Sequence, residues 1–183
     1  MSKLKNTKTL TTCAMLLALA VVLGFLRIPV TSIIEIRFGS LPIAIAGSLF
    51  GPGIASVVAT LADLLAYLVK PTGPFFPGFT ISAIVTAVIF GLVLRRKNHD
   101  VTIGQIILAE ALHTLVVGLL INSYNLFLLY GNPADTGLSG YLAVLSSRVI
   151  KELVMLPVNI VLLTMVLKPV HYIEKHVLQG TER

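Results

Sequence analysis

The chain has 183 residues, a formal net charge of +6, 56% hydrophobic residues and 12% charged ones, with a mean hydropathy of +0.93. So few charges cannot coat a water-soluble fold, and disorder needs the opposite balance of low hydrophobicity and high charge. The expectation is an all-α integral membrane protein, one transmembrane domain of about six helices with short connections.

The first apolar stretch, about Thr9–Leu26, follows Lys3, Lys5 and Lys8 in a short tail, residues 1–8. It lacks a small-residue cleavage site before Arg27 and more spans follow, so it reads as a retained helix rather than a signal peptide. A connection over Arg27–Arg37 comes next, with Arg27, Glu35 and Arg37 among β-branched residues. The second and third stretches, about Phe38–Phe50 and Ile54–Val69, are divided by Gly51-Pro52-Gly53. Unbroken, they would make a helix of about 48 Å, too long for a hydrocarbon core of roughly 30 Å. Two crossings and a tight turn fit better. The second is short, holds Pro42, and needs neighbours to shield its backbone; such segments often border a binding cavity.

Lys70–Gly78 carries three prolines, Pro71, Pro74 and Pro77, which set a stiff, non-helical path. The fourth span, about Phe79–Leu94, ends in Arg95-Arg96-Lys97, and the fifth covers about Ile103–Tyr130. A polar turn over Gly131–Gly140 leads to the sixth span, about Tyr141–Leu167, and a tail at 168–183. With six spans, nine cations fall on one side: Lys3, Lys5, Lys8, Arg95, Arg96, Lys97, Lys168, Lys175 and Arg183. That side should be the cytoplasm, with both termini in it. With five, the Arg95–Lys97 cluster and the amino terminus would be opposed.

Ionisable residues within spans invite a functional reading because burying them is costly. Arg148 and Glu152 lie one helical turn apart, with Lys151 three residues from Arg148. They form an internal salt bridge, or they leave a cation for an anionic ligand. Glu110 and His113 suit a structural pair, and Asp63 a bond to a neighbouring helix. Asn122 and Asn125 share a face near the outer end of span five. Their amides suit the edge of a heterocycle, or a helix–helix hydrogen bond. Tyr67, Phe75, Phe76 and Phe79 can stack on a planar ring or simply bury the loop. Thr72, Thr80 and Ser82 can add hydroxyl contacts. Arg27 and Arg37 suit carboxylates, or an interfacial position. Ala14 and Ala18 form a small-xxx-small pair that permits close approach of a second helix.

No disulfide can form within the chain, because Cys13 is the single cysteine. No metal-ligand spacing, Walker loop, HExxH, GxSxG or paired nucleophile and base appears, so neither an enzyme nor a resident metal or cofactor is expected. Cations placed between apolar segments argue against nucleic acid.

Three groups of residues resemble the substrate-binding S components of energy-coupling factor (ECF) vitamin transporters, the folate branch in particular. They are Ala14-Met15-Leu16-Leu17-Ala18, then Leu49–Gly53 with Ala62-Asp63-Leu64-Leu65, and above all the string from Pro71 to Ala83. The resemblance covers nearly the whole chain. It implies a vitamin-binding protein of the bacterial cytoplasmic membrane that works with a transmembrane coupling (T) subunit and two cytoplasmic ATPases, which alone use ATP. It also implies that Ala14 and Ala18 meet the coupling subunit and that the loops at Arg27–Arg37 and Lys70–Gly78 close the site. Folate suits the residues: a pterin for Phe76, Tyr67 and the Asn122 and Asn125 amides, and two carboxylates for Arg27, Arg37 or Arg148. Relatives in this branch take other vitamins, such as pantothenate or pyrimidine precursors. The rivals outside it are a stand-alone secondary transporter, an intramembrane enzyme and a structural subunit.

Overall fold

Among the described residues only Gly51 has a positive φ, +86°, a conformation glycine adopts without steric cost. Its N–H donates to the Gly47 carbonyl at 3.0 Å and closes helix α2 (Ser40–Phe50). Pro52 then opens α3 (Pro52–Val69), at a position where the missing N–H costs no intrahelical bond. The Gly-Pro-Gly break therefore divides two helices, as expected. The computed structural model describes residues 7–29, 35–69, 74–95, 101–130 and 138–180.

At about 1.5 Å per residue, α2 rises only about 16 Å. Pro42 is its third residue, inside the first turn, whose N–H groups have no partner within the helix. Leu41, Pro42 and the run from Ala44 to Ser48 are buried, because α1, α3, α4 and the last helix all pack on α2. This is the shielding that so short a segment needs in lipid. Helix α4 (Pro77–Val93) crosses at close range. A Cβ added to Gly47 would stand 2.9 Å from the Gly91 nitrogen, and one on Gly91 would stand 2.5 Å from Pro52 Cα. Small residues let backbones meet in this way.

Helix α1 (Thr7–Phe25) buries only Cys13, Leu16 and Ala20, a narrow stripe against α2 and α3. Beyond it, Arg27–Pro29 (β1) and Glu35–Arg37 (β2) form an antiparallel ribbon pairing Arg27 with Arg37 and Ile28 with Ile36. This ribbon is the one departure from an all-helical fold among the described residues, and its β-branched residues suit it.

The fifth span is continuous but changes its winding. It runs through α5 (Ile103–Leu112), a π-helix π1 (His113–Ile121) and α6 (Asn122–Tyr130). Its start is fixed by the Thr102 N–H donating to Gln105 Oε1 at 3.0 Å, half of a capping box. The last helix, α7 (Leu138–Gly180), has 43 residues and contains Pro157 and Pro169. It starts three residues before the expected span and continues through most of the expected tail. Buried Phe90 and Leu94 meet Ile106, Leu163 and Leu167 in one core.

Thr7–Phe25, Pro52–Val69, Ile103–Leu129 and Gly140–Tyr172 are long and apolar enough to cross a membrane, and Ser40–Phe50 and Pro77–Val93 are shorter apolar helices. Together they account for the six expected spans.

Candidate functional site

Helix α7 places Arg148, Glu152, Met155 and Asn159 on one face, following the i, i+4, i+7, i+11 pattern of an α-helix. Opposite them the fifth span contributes His113, Gly118 and Asn122, and the three meet only because of π1. Nine residues separate His113 from Asn122. At about 100° per residue an α-helix would put them on opposite faces. At about 4.4 residues per turn, a π-helix brings them round about two turns to the same side.

Between these walls lies a cavity of about 310 Å³, also lined by Gly24, Gly39, Ser40 and Lys151, a size within the range of small-molecule sites. Arg148 Nη2 donates to Glu152 Oε1 at 3.2 Å, and both side chains are only 15% exposed. The expected ion pair is therefore formed, yet it leaves Arg148 Nε buried without a hydrogen-bond partner. Asn122 Oδ1 is likewise buried without a hydrogen-bond partner, and His113 Nδ1 makes no hydrogen bond although Glu110 lies beside it. A cationic and an amide side chain thus line one space, each short of a hydrogen-bond partner, and a molecule with an anionic oxygen and an N–H edge would suit the two.

Below the cavity, Glu110 is buried and accepts from Asn159 Nδ2 at 2.7 Å, while His113 Nδ1 lies 3.5 Å from Glu110 Oε1. The His113 ring packs on Phe90, with centroids 5.3 Å apart. Glu110 and His113 do sit side by side, but Asn159 supplies the closer contact.

The remaining expected site residues gather elsewhere. Asn125 is buried and donates through Nδ2 to Ser82 Oγ at 3.2 Å. Ser82 Oγ in turn donates to the Gly78 carbonyl at 3.0 Å. A Cβ on Gly78 would overlap the Asn125 carbonyl oxygen and the Phe76 ring. Phe76 and Phe79 pack edge to face at 6.0 Å, as do Tyr67 and Phe75 at 5.2 Å. Thr80 donates to Asp63 Oδ2 at 2.7 Å, the interhelical bond expected of Asp63. Phe76, Phe79 and Ser82 therefore gather around Gly78 and join the fifth span through Asn125, while Tyr67–Phe75 and Asp63–Thr80 are contacts on the α3 side.

Arg27 and Arg37 face each other across the ribbon; their side chains, like Thr72, lie outside the described residues. Ala14 and Ala18 are exposed on α1, beside exposed Met15, Leu19 and Val22. Sequence reasoning missed Gly39, Ser40, Gly118, Met155 and Asn159. The heptad-like spacing from Arg148 marks the last two, but nothing local marks Gly118.

A family model described as ECF transporter, substrate-specific component, matches residues 8–167. The chain is 35% identical over 133 residues to the folate transporter FolT of Clostridium novyi (strain NT), covering 73% of this chain and 72% of that one. It is 29% identical over 156 residues to the folate transporter FolT of Leuconostoc mesenteroides subsp. mesenteroides, covering 85% and 82%. Its fold matches a crystal structure of FolT bound with folic acid at a TM-score of 0.73 and 28% identity, over 87% of this chain and 92% of that one. The chain with the cavity between π1 and α7 thus belongs to the substrate-specific components of ECF transporters, a family of multi-pass membrane proteins.

Proposed function

We propose that the protein captures folate from outside a bacterial cytoplasmic membrane and delivers it through an ATP-driven complex with a transmembrane coupling subunit and two ATPases. The observation that carries this reading is that Arg148 and Asn122 line one cavity and each keeps a buried polar atom, Nε and Oδ1, without a hydrogen-bond partner. Folate carries carboxylates for the first and a pterin N–H edge for the second. Relatives that are folate transporters favour it over pantothenate or a pyrimidine precursor. A ligand reaching beyond this cavity would meet Phe76, Phe79 and Tyr67, with Ser82 and Asn125 bracing that side and Arg27, Arg37 and Thr72 closing the outer one.

In this reading both termini face the cytoplasm, in line with the nine cations on that side. Exposed Ala14 and Ala18 form the face that meets the coupling subunit. The chain acts as a binding component and performs no chemistry on the vitamin.

The experiment is calorimetric titration of the purified protein in detergent with folic acid, pantothenate and a pyrimidine precursor, together with mass spectrometry of any co-purifying molecule. Saturable binding of folic acid is expected. Binding of one of the other two in its place would overturn the assignment.

A further inference from the structure

Glu152 is an odd neighbour for a residue that should receive an anion. An acid 3.2 Å from Arg148 Nη2 offsets part of the cation's charge, so charge alone would favour its removal. Its seat is nevertheless well defined. A Cβ added to Gly118, in the middle of π1, would stand 2.9 Å from Glu152 Cδ and 3.0 Å from Oε2. The carboxylate therefore rests against the bare backbone of the π-helix. From there its Oε1 engages the Nη2 end of the guanidinium, while buried Nε has no partner.

We propose that Glu152 is a positioning residue for ligand binding: seated against Gly118, it holds the Arg148 guanidinium at the cavity wall for a carboxylate of the ligand. This inference rests on the folate reading above. A guanidinium held in place keeps its planar fork ready for an incoming carboxylate, and less freedom is then lost on binding. Gly118 takes part because any side chain there would dislodge the acid.

The test titrates the full-length protein in detergent with folic acid and with folic acid dimethyl ester, whose carboxylates are neutralised. Glu152→Ala should bind folic acid about ten-fold more weakly, the usual scale for a charge-assisted hydrogen bond, and the ester with unchanged affinity. Glu152→Gln keeps an acceptor for Nη2 and should recover most of the loss. Gly118→Ala should weaken folic acid binding in the parent chain by a similar factor. In the Glu152→Ala background it should add nothing, because the extra methyl group then meets no carboxylate.

Equal or tighter folic acid binding by Glu152→Ala would show that the acid only opposes the ligand, and would overturn the proposal. So would equal losses for folic acid and its ester, which mark a general packing defect, or additive effects of the two substitutions. If the parent chain binds no folic acid, the folate reading itself fails, a result distinct from these.

Discussion

Around Gly47, Gly91 and Pro52, α2, α3 and α4 touch through backbone atoms, whereas between π1 and α7 a cavity of about 310 Å³ holds an ion pair and several unpartnered polar atoms. In the first region glycine and alanine let helices close up, and the apolar contact leaves no room. In the second, one glycine admits a carboxylate instead of a helix. The same residue type serves as a packing device on one side and as a seat for chemistry on the other. Stability should therefore depend mainly on the first region and ligand affinity on the second.

The largest effect expected is from Gly91→Leu. Four carbon atoms cannot enter the space beside Pro52, and overpacking of this kind typically costs about 1–3 kcal/mol and occasionally more. The variant should melt at a clearly lower temperature in detergent, or fail to purify, and bind poorly as a consequence. A wild-type melting curve would break the comparison. Arg148→Ala should act mainly on the second region, lowering folic acid affinity about ten- to hundred-fold, with a smaller fall in melting temperature than Gly91→Leu from the Glu152 carboxylate left unpaired. Unchanged affinity in calorimetry would remove Arg148 from the site. Ala14→Trp or Ala18→Trp should have the smallest effect on either property, since both positions are exposed. Each should nevertheless abolish co-purification with the coupling and ATPase subunits, and retained co-purification would argue against that face.

The six-span plan is legible in the sequence because it rests on strong, local signals. Gly51-Pro52-Gly53 must interrupt a helix, and the spacing of the basic clusters along the sequence favours an even number of spans. The Arg148–Glu152 pair is legible for the same reason, being one α-helical turn apart. Pro42 looks like an interruption until its place in the first turn of α2 is known. The cavity is harder to read, since its fifth-span wall depends on π1. The segment His113–Ile121 is apolar apart from His113 and Thr114, so its hydropathy carries no sign of a change in winding. Extending an α-helical wheel from His113 puts Asn122 on the wrong face. Asn122 and Asn125, grouped by sequence as one recognition pair, end in different places: the first has a buried oxygen without a partner at the cavity, and the second ties α4 to α6. Only the tertiary arrangement separates their roles.

Helix α7 has a mechanical consequence. Its 43 residues amount to about 65 Å of rod, more than twice the thickness of a hydrocarbon layer of roughly 30 Å. The helix that bears Arg148 and Glu152 therefore outruns such a layer, and Pro157 and Pro169 lie between those residues and its far end. Whatever grips that far end shares one helical backbone with the chamber's wall without touching its contents.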